Sequence, residues 1–199
     1  MSLRHQPKAA LINDFSGFGR CSVTVALPII SQMKVQCCPV LTSVFSNHTG
    51  YPSFYFDDYT EKMPSYIAEW KKLNLHFECI AAGFLGSERQ IEIVKNFIRD
   101  FKDETTKVLI DPVMGDHGRT YQTFTPEMCS QMKQLAHFAD ILTPNLTEAC
   151  ILTDTPYHDG HWQMSELSKL ALSLIAMGPS KVVITGVSMG TFIGNVICE

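Results

Sequence analysis

The stretch Val35-Gln-Cys-Cys-Pro-Val-Leu-Thr-Ser-Val-Phe-Ser-Asn-His-Thr-Gly-Tyr-Pro-Ser-Phe54 changes character in its middle. Its first half, 35–42, is an apolar run rich in β-formers and predicts a strand. Its second half sets four hydrogen-bonding side chains, Ser46, Asn47, His48 and Thr49, in a row between aromatic residues. A strand that empties into a polar loop is the repeating unit of open α/β sheets, where ligands bind beyond the carboxyl ends of the strands. The fold therefore turns on whether the unit recurs.

It recurs along the whole chain. Strands are expected at 9–13, 35–42, 79–83, 107–111, 140–143 and 181–185, with helices at 22–33, 58–73, 88–101, 126–138, 145–152 and 165–177. A further strand is expected over 191–199. Several strand runs are nearly continuous in apolar residues, as when a parallel sheet is covered by helices on both faces. The helix over 58–73 carries the matching stripe, Met63, Ile67, Trp70 and Asn74, which reads as core. The fold class is α/β, one domain over 1–199, with no internal repeat, linker or low-complexity segment. Its strand exits are 14–19, 43–53, 83–87, 111–118, 143–148 and 185–188, all rich in Gly, Ser, Thr, Asn or Asp, and they are expected to meet over a common cavity.

Composition excludes several classes of function. With 199 residues, 45% hydrophobic and 18% charged, the chain has the makeup of an ordinary globular protein. A net charge of −4 with scattered Lys and Arg argues against a nucleic-acid protein held by phosphate neutralisation. No apolar run reaches the roughly 20 residues of a membrane span, and the first residues lack the apolar core of a secretory leader, so a cytoplasmic location is expected. The 7 cysteines form no C-x-x-C pair and read as reduced thiols acting as small hydrophobes. Two N-x-T sequons begin at Asn47 and Asn145; in a reduced chain neither is a glycan site, and both asparagines call for another explanation.

Gly17-Phe-Gly19 invites a dinucleotide reading, but Ser22 stands at the third glycine position and the next strand ends without an acidic residue. It reads as a glycine turn that needs backbone freedom. No P-loop motif is present. The acidic exits are more informative: Asp111 ends a strand, Asp116 follows in a glycine-flanked loop, and Asn145 and Glu148 stand three apart at a helix start. Carboxylates converging on a crevice suit Mg²⁺ between them and a nucleotide's phosphates. Equally, Asn145 can cap its helix with Glu148 completing a capping box. Thr185-Gly186 offers a hydroxyl and a flexible backbone for phosphate. His158-Asp-Gly-His161 reads as a solvated turn rather than a metal pair.

The motifs Phe45-Ser-Asn-His-Thr-Gly50, Gly83-Phe-Leu-Gly-Ser87, Asp111-Pro-Val-Met-Gly115 and Thr143-Pro-Asn-Leu-Thr-Glu148 occur in the order and spacing of the pyridoxal kinases, of the ribokinase-like superfamily. The resemblance runs from about Ala9 to Gly186. The Asp-Pro-Val-Met and Thr-Pro-Asn-x-x-Glu elements also resemble hydroxymethylpyrimidine kinases, whereas the Phe-Ser-Asn-His-Thr element points to the vitamin B6 branch.

The resemblance implies a three-layer ribokinase-like sandwich and ATP-dependent phosphorylation of the 5′-hydroxymethyl group of pyridoxal, pyridoxine or pyridoxamine. It implies that Thr49 and Gly50 contact the pyridine substrate, that Phe45 and Phe84 sandwich its ring, and that Asp14 lies near the ring's polar atoms. Asp111, Thr143, Asn145, Glu148 and Thr185 fall on the ATP side, with Asp111 and Glu148 on Mg²⁺ and K⁺ as a monovalent cation. A homodimer is implied as well. Two departures stand out. Many pyridoxal kinases carry Ser where this chain has Asp14. The family also continues into a Gly-x-Gly-Asp segment that supplies an anion hole and the catalytic Asp, whereas this sequence ends at Glu199. General-base loss costs about 10² to 10⁴ in rate, so no catalytic residue is assigned, the 199 residues alone are expected to be severely impaired, and an uncovered sheet edge favours self-association. The alternatives are a hydroxymethylpyrimidine kinase and a catalytically silent B6-binding protein.

Overall fold

The computed structural model describes residues 6–121 and 124–199. Most of the opening stretch on which the leader reading rests therefore lies outside the described residues. The chain divides into two compact units, Met1–Lys107 and Val108–Glu199.

The first unit contains β1 (Lys8–Phe18), α1 (Ser22–Gln32), β2 (Gln36–Asn47), β3 (Phe56–Asp58), α2 (Met63–Lys72), β4 (Cys79–Ala82) and α3 (Glu88–Phe101). Its strands run β4-β1-β2-β3, the first three parallel and β3 antiparallel on β2. α3 forms because Ile91, Val94, Phe97, Ile98 and Phe101 fall on one helical face and are buried. Ser87 caps it, accepting from the Gln90 N–H at 3.3 Å. Phe97 and Phe101 meet with centroids 4.5 Å apart and planes tilted by 32°, and join Phe77 and Trp70 in an aromatic core.

The second unit contains β5 (Lys107–Ile110), β6 (Gly115–Asp116), β7 (Arg119–Thr120), α4 (Pro126–Ala136), β8 (Ile141–Leu142), α5 (Leu146–Thr153), α6 (Met164–Ile175), β9 (Lys181–Met189) and β10 (Phe192–Cys198). β5, β8 and β9 are parallel neighbours, and β10 closes antiparallel on β9. Val108, Ile110, Leu142, Val182 and Ile184 of these strands are buried, as are Met132, Ala149 and Leu170 of the helices. No helix among the described residues is long and apolar enough to cross a membrane. The seven cysteines are free thiols.

The α/β class and its mostly parallel strands are as expected; several boundaries are not. Three exits expected as loops are strand over part or most of their length. β1 runs on to Phe18 and β2 to Asn47 because their ends pair with each other, Ser16 opposite Phe45 and Phe18 opposite Asn47. β9 continues to Met189 because β10 returns along it. Polar turn-formers do not stop a strand whose backbone groups already have partners. The helix expected from Asp58 starts at Met63, since Asp58 ends β3 and its Oδ1 accepts the Thr60 N–H at 2.8 Å. β3 and the β6–β7 hairpin were not expected. The hairpin turns on His117 (φ 49°) and Gly118 (φ 75°), the paired left-handed conformation of a type I′ turn. Gly115 is required there: a Cβ would lie 2.2 Å from the Arg119 carbonyl oxygen. His158 stacks on Trp162 at 4.1 Å and 11°.

Candidate functional site

In the first unit, the polar run that opens the sequence question is spent mostly on its own loop. Ser46 N donates to the Tyr55 carbonyl at 3.0 Å, and Tyr55 N donates to Ser46 Oγ at 2.8 Å. Ser46 Oγ donates to Asn47 Oδ1 at 2.6 Å, and Asn47 Nδ2 reaches across the loop to the Ser53 carbonyl at 2.9 Å. His48 N ties the loop to the end of β1 through the Phe18 carbonyl at 2.9 Å, and His48 Nδ1 accepts from Gly50 N at 3.0 Å. Gly50 is needed for that approach, since a Cβ would lie 2.9 Å from Nδ1. Thr49 alone of the four leaves its exposed side chain without a hydrogen bond to a described residue. Asn47 thus has its explanation as a loop clamp.

Behind this loop, the register of β1 on β2 shifts between Asn13 and Phe15, where β2 carries one extra residue and Thr42 and Ser43 stand opposite Asp14. Asp14 is buried, and its Oδ2 accepts from Ser16 Oγ at 3.2 Å. Ser16 sits opposite Phe45, and alternation along β2 puts Ser43 on the Phe45 face too. Ser43 Oγ is buried without a hydrogen-bond partner among the described residues, a feature that local sequence does not signal. Phe45 and Phe84 come together, their rings edge to face with centroids 6.0 Å apart and planes at 68°. Phe45 also touches Phe56 at 4.9 Å and Phe54 at 5.7 Å, so the pair belongs to a wider aromatic wall.

In the second unit, the five residues expected on the nucleotide side gather around the start of α5. The Asn145 side chain accepts from Glu148 N at 2.9 Å, and Glu148 Oε2 accepts from Asn145 N at 2.8 Å, so the capping box is present. Asn145 Nδ2 donates to the Gly115 carbonyl at 2.8 Å, and Glu148 Oε1 accepts from Met114 N at 3.2 Å. Thr147 Oγ1 accepts from Gly118 N at 2.9 Å. Through these bonds the first turn of α5 holds the β6–β7 hairpin. Thr185 forms a parallel bridge with Asn145, and its N–H donates to the Pro144 carbonyl at 2.8 Å. Thr143 N donates to the Ile110 carbonyl at 3.0 Å, beside Asp111. Asp116 is exposed, its Oδ1 accepting from His117 N at 2.7 Å.

Burial dominates the electrostatics of the two inner acids. It pushes the Glu148 carboxyl up to about 8, with the Asp111 charge adding and the Asn145 and Met114 N–H groups opposing. It pushes Asp111 up to about 6 against the Thr143 hydroxyl. Glu148 is buried and Asp111 half-buried, and the Asp111 charge disfavours that of Glu148, an arrangement that fits a divalent cation. Mg²⁺ keeps several waters and takes one or two carboxylates plus phosphate oxygens, so it does not need a larger ligand cluster. No group of three metal-ligating His, Cys, Asp or Glu occurs among the described residues. A cleft of about 490 Å³ in the same unit is lined by Gly118, Lys133, Thr147, Cys150 and Tyr157, and none of the expected site residues lines it.

Residues 27–197 match the family described as phosphomethylpyrimidine kinase. A pyridoxal kinase from Arabidopsis thaliana is 30% identical over 159 residues, covering 76% of this chain and 49% of the relative. The chain spans about half the length of that curated relative. A protein from Bacteroides thetaiotaomicron, described as a phosphomethylpyrimidine kinase and solved with pyridoxal, superposes with a TM-score of 0.89 at 47% identity, covering 93% of this chain and 64% of that one. Pyridoxal kinase from Lactobacillus plantarum superposes with a TM-score of 0.88 at 28% identity, covering 98% and 69%. With the α5 capping box in place, and with the family match running through both units, this chain belongs to the phosphomethylpyrimidine kinase family, on the pyridoxal kinase-like, ribokinase-type α/β fold.

Proposed function

We propose that the chain carries the substrate and nucleotide elements of a kinase that moves the γ-phosphoryl group of ATP to the 5′-hydroxymethyl group of pyridoxal, pyridoxine or pyridoxamine. The observation that carries this reading is the 47% identity to a protein solved with pyridoxal. The Thr49 hydroxyl and the adjacent Gly50 are the groups through which the exposed loop would hold the vitamer's polar substituents. Phe45 and Phe84 supply apolar surface to the ring. Asp14 would accept a hydrogen bond from a pyridinium N–H or a phenol.

On the nucleotide side, Asp111 and Glu148 would hold Mg²⁺, directly or through water, while Asn145, Thr143 and Thr185 orient phosphate. When bound, the ion neutralises charge on the phosphate oxygens. The reading carries with it ATP as donor, K⁺ as monovalent cation, and a cytoplasmic homodimer. Binding of vitamer and of nucleotide is the primary readout of this reading.

The family description favours a second reading, hydroxymethylpyrimidine as acceptor. Calorimetric titration of the chain with pyridoxal and with hydroxymethylpyrimidine decides between them, followed by ATP and Mg²⁺ turnover with each. Saturable pyridoxal binding tighter than pyrimidine binding is expected; the reverse order, or no pyridoxal binding, overturns the reading. Saturable binding with no detectable turnover would instead indicate a silent vitamer-binding protein.

A further inference from the structure

Gln90 lies in the first turn of α3 and is 1% exposed. A fully buried amide is costly unless its donors and acceptor are all used. Gln90 uses them on three separate segments. Its Oε1 accepts from Gly86 N at 2.7 Å. Its Nε2 donates to the Thr42 carbonyl at 2.8 Å and to Thr60 Oγ1 at 2.7 Å, with Asp58 Oδ1 a longer third neighbour at 3.2 Å.

Each of these segments carries one ring of the aromatic wall. Thr42 precedes Phe45 in β2, Gly86 follows Phe84, and Asp58 ends the strand that begins with Phe56. Thr42 adds a second tie, since its Oγ1 donates to the Phe84 carbonyl at 3.0 Å. On the other side of the same residue, Phe84 N donates to Asn13 Oδ1 at 2.9 Å. Gly83 leaves room for that contact: a Cβ would lie 2.6 Å from Asn13 Nδ2. The backbone of Phe84 is therefore clamped at both ends, and one clamp rests on the strand that Gln90 holds.

We propose that Gln90 is a positioning residue for ring recognition: by joining Gly86, Thr42 and the β3–α2 turn it sets the spacing and angle of Phe84, Phe45 and Phe56. It touches no ligand. The proposal rests on the vitamer-binding reading for its purpose, although the positioning itself is a property of the free chain. Without the amide, Gly86 N and the Thr42 carbonyl each lose a buried partner, and of the two ties between the 83–87 loop and β2 only the Thr42 hydroxyl to the Phe84 carbonyl is left.

Gln90→Met keeps length and volume while removing the donors and acceptor. For the free protein, hydrogen exchange at the Gly86 amide is expected to quicken at least tenfold and ring-to-ring nuclear Overhauser contacts between Phe45 and Phe84 to weaken. Unchanged exchange and contacts would overturn the proposal. For the liganded protein, the Kd for pyridoxal is expected to rise about tenfold while the Kd for ADP, which the second unit's residues would hold, stays within twofold. Equal loss for both ligands would indicate a general folding defect, and no loss for either would show the wall is set without Gln90; both outcomes overturn it. Should the unsubstituted chain fail to bind pyridoxal, the vitamer reading falls, and the exchange measurement still decides the role of Gln90.

Discussion

Asn145 and Glu148 bind each other reciprocally, the amide oxygen accepting from Glu148 N at 2.9 Å and the carboxylate from Asn145 N at 2.8 Å. Each has a second bond outward, Asn145 to the Gly115 carbonyl and Glu148 to Met114 N. One pair thus starts a helix and anchors a hairpin. Asn145→Ala removes the cap and the hairpin tie together and should lower unfolding stability by about 2 kcal/mol, read from the urea midpoint. A loss below about 0.5 kcal/mol would mean that the box contributes little.

The two inner acids make stability depend on pH in a direction opposite to that of a salt-bridged carboxylate. Glu148 is raised from 4.5 to about 8 and Asp111 from 3.8 to about 6, so the folded chain holds protons that the unfolded chain has released. Their contribution is full below about pH 4 and is lost as pH rises through 6 and 8. Denaturant midpoints should fall across that window, and Glu148→Gln should flatten the upper part. Mg²⁺ favours the ionised acids, so adding it should raise the melting temperature more at pH 8.5 than at pH 5.5. A wild-type midpoint that rises from pH 5 to 8 would refute the assignment.

Thr49 and Asn47 lie two residues apart and should respond differently. Thr49 is exposed and its side chain bonds no described residue, so Thr49→Ala should leave stability within about 0.5 kcal/mol. It should nevertheless weaken pyridoxal binding about tenfold, the worth of one hydrogen bond. Asn47→Ala removes the clamp to the Ser53 carbonyl and should cost about 1 kcal/mol of stability. Parallel denaturation and titration of both variants give the comparison; a Thr49→Ala protein that binds pyridoxal normally would remove Thr49 from the site.

Ser43 offers a test of desolvation. Its hydroxyl is buried without a partner among the described residues, which carries a penalty of roughly 1 to 3 kcal/mol. Ser43→Ala should be neutral or stabilising by up to about 1 kcal/mol, measured by thermal melting, whereas a clear loss would reveal a partner for this hydroxyl.

Local sequence determined a good deal of this protein. Burial periodicity fixed the order of strands and helices, because the apolar stripe of α3 and the apolar runs of β1, β2 and β5 can be satisfied only by packing. Cap chemistry fixed the start of α5, since Asn145 and Glu148 interact across three residues and need nothing distant. Tertiary structure decided what depends on partners far along the chain. That 14–18 and 43–47 are strand, that Phe45 meets Phe84 edge to face, and that Gln90 ties Thr42 to Gly86 all rest on pairings between segments tens of residues apart. A residue's own neighbours encode whether it prefers burial or exposure, but which backbone group satisfies its hydrogen bond is settled only when another segment arrives beside it.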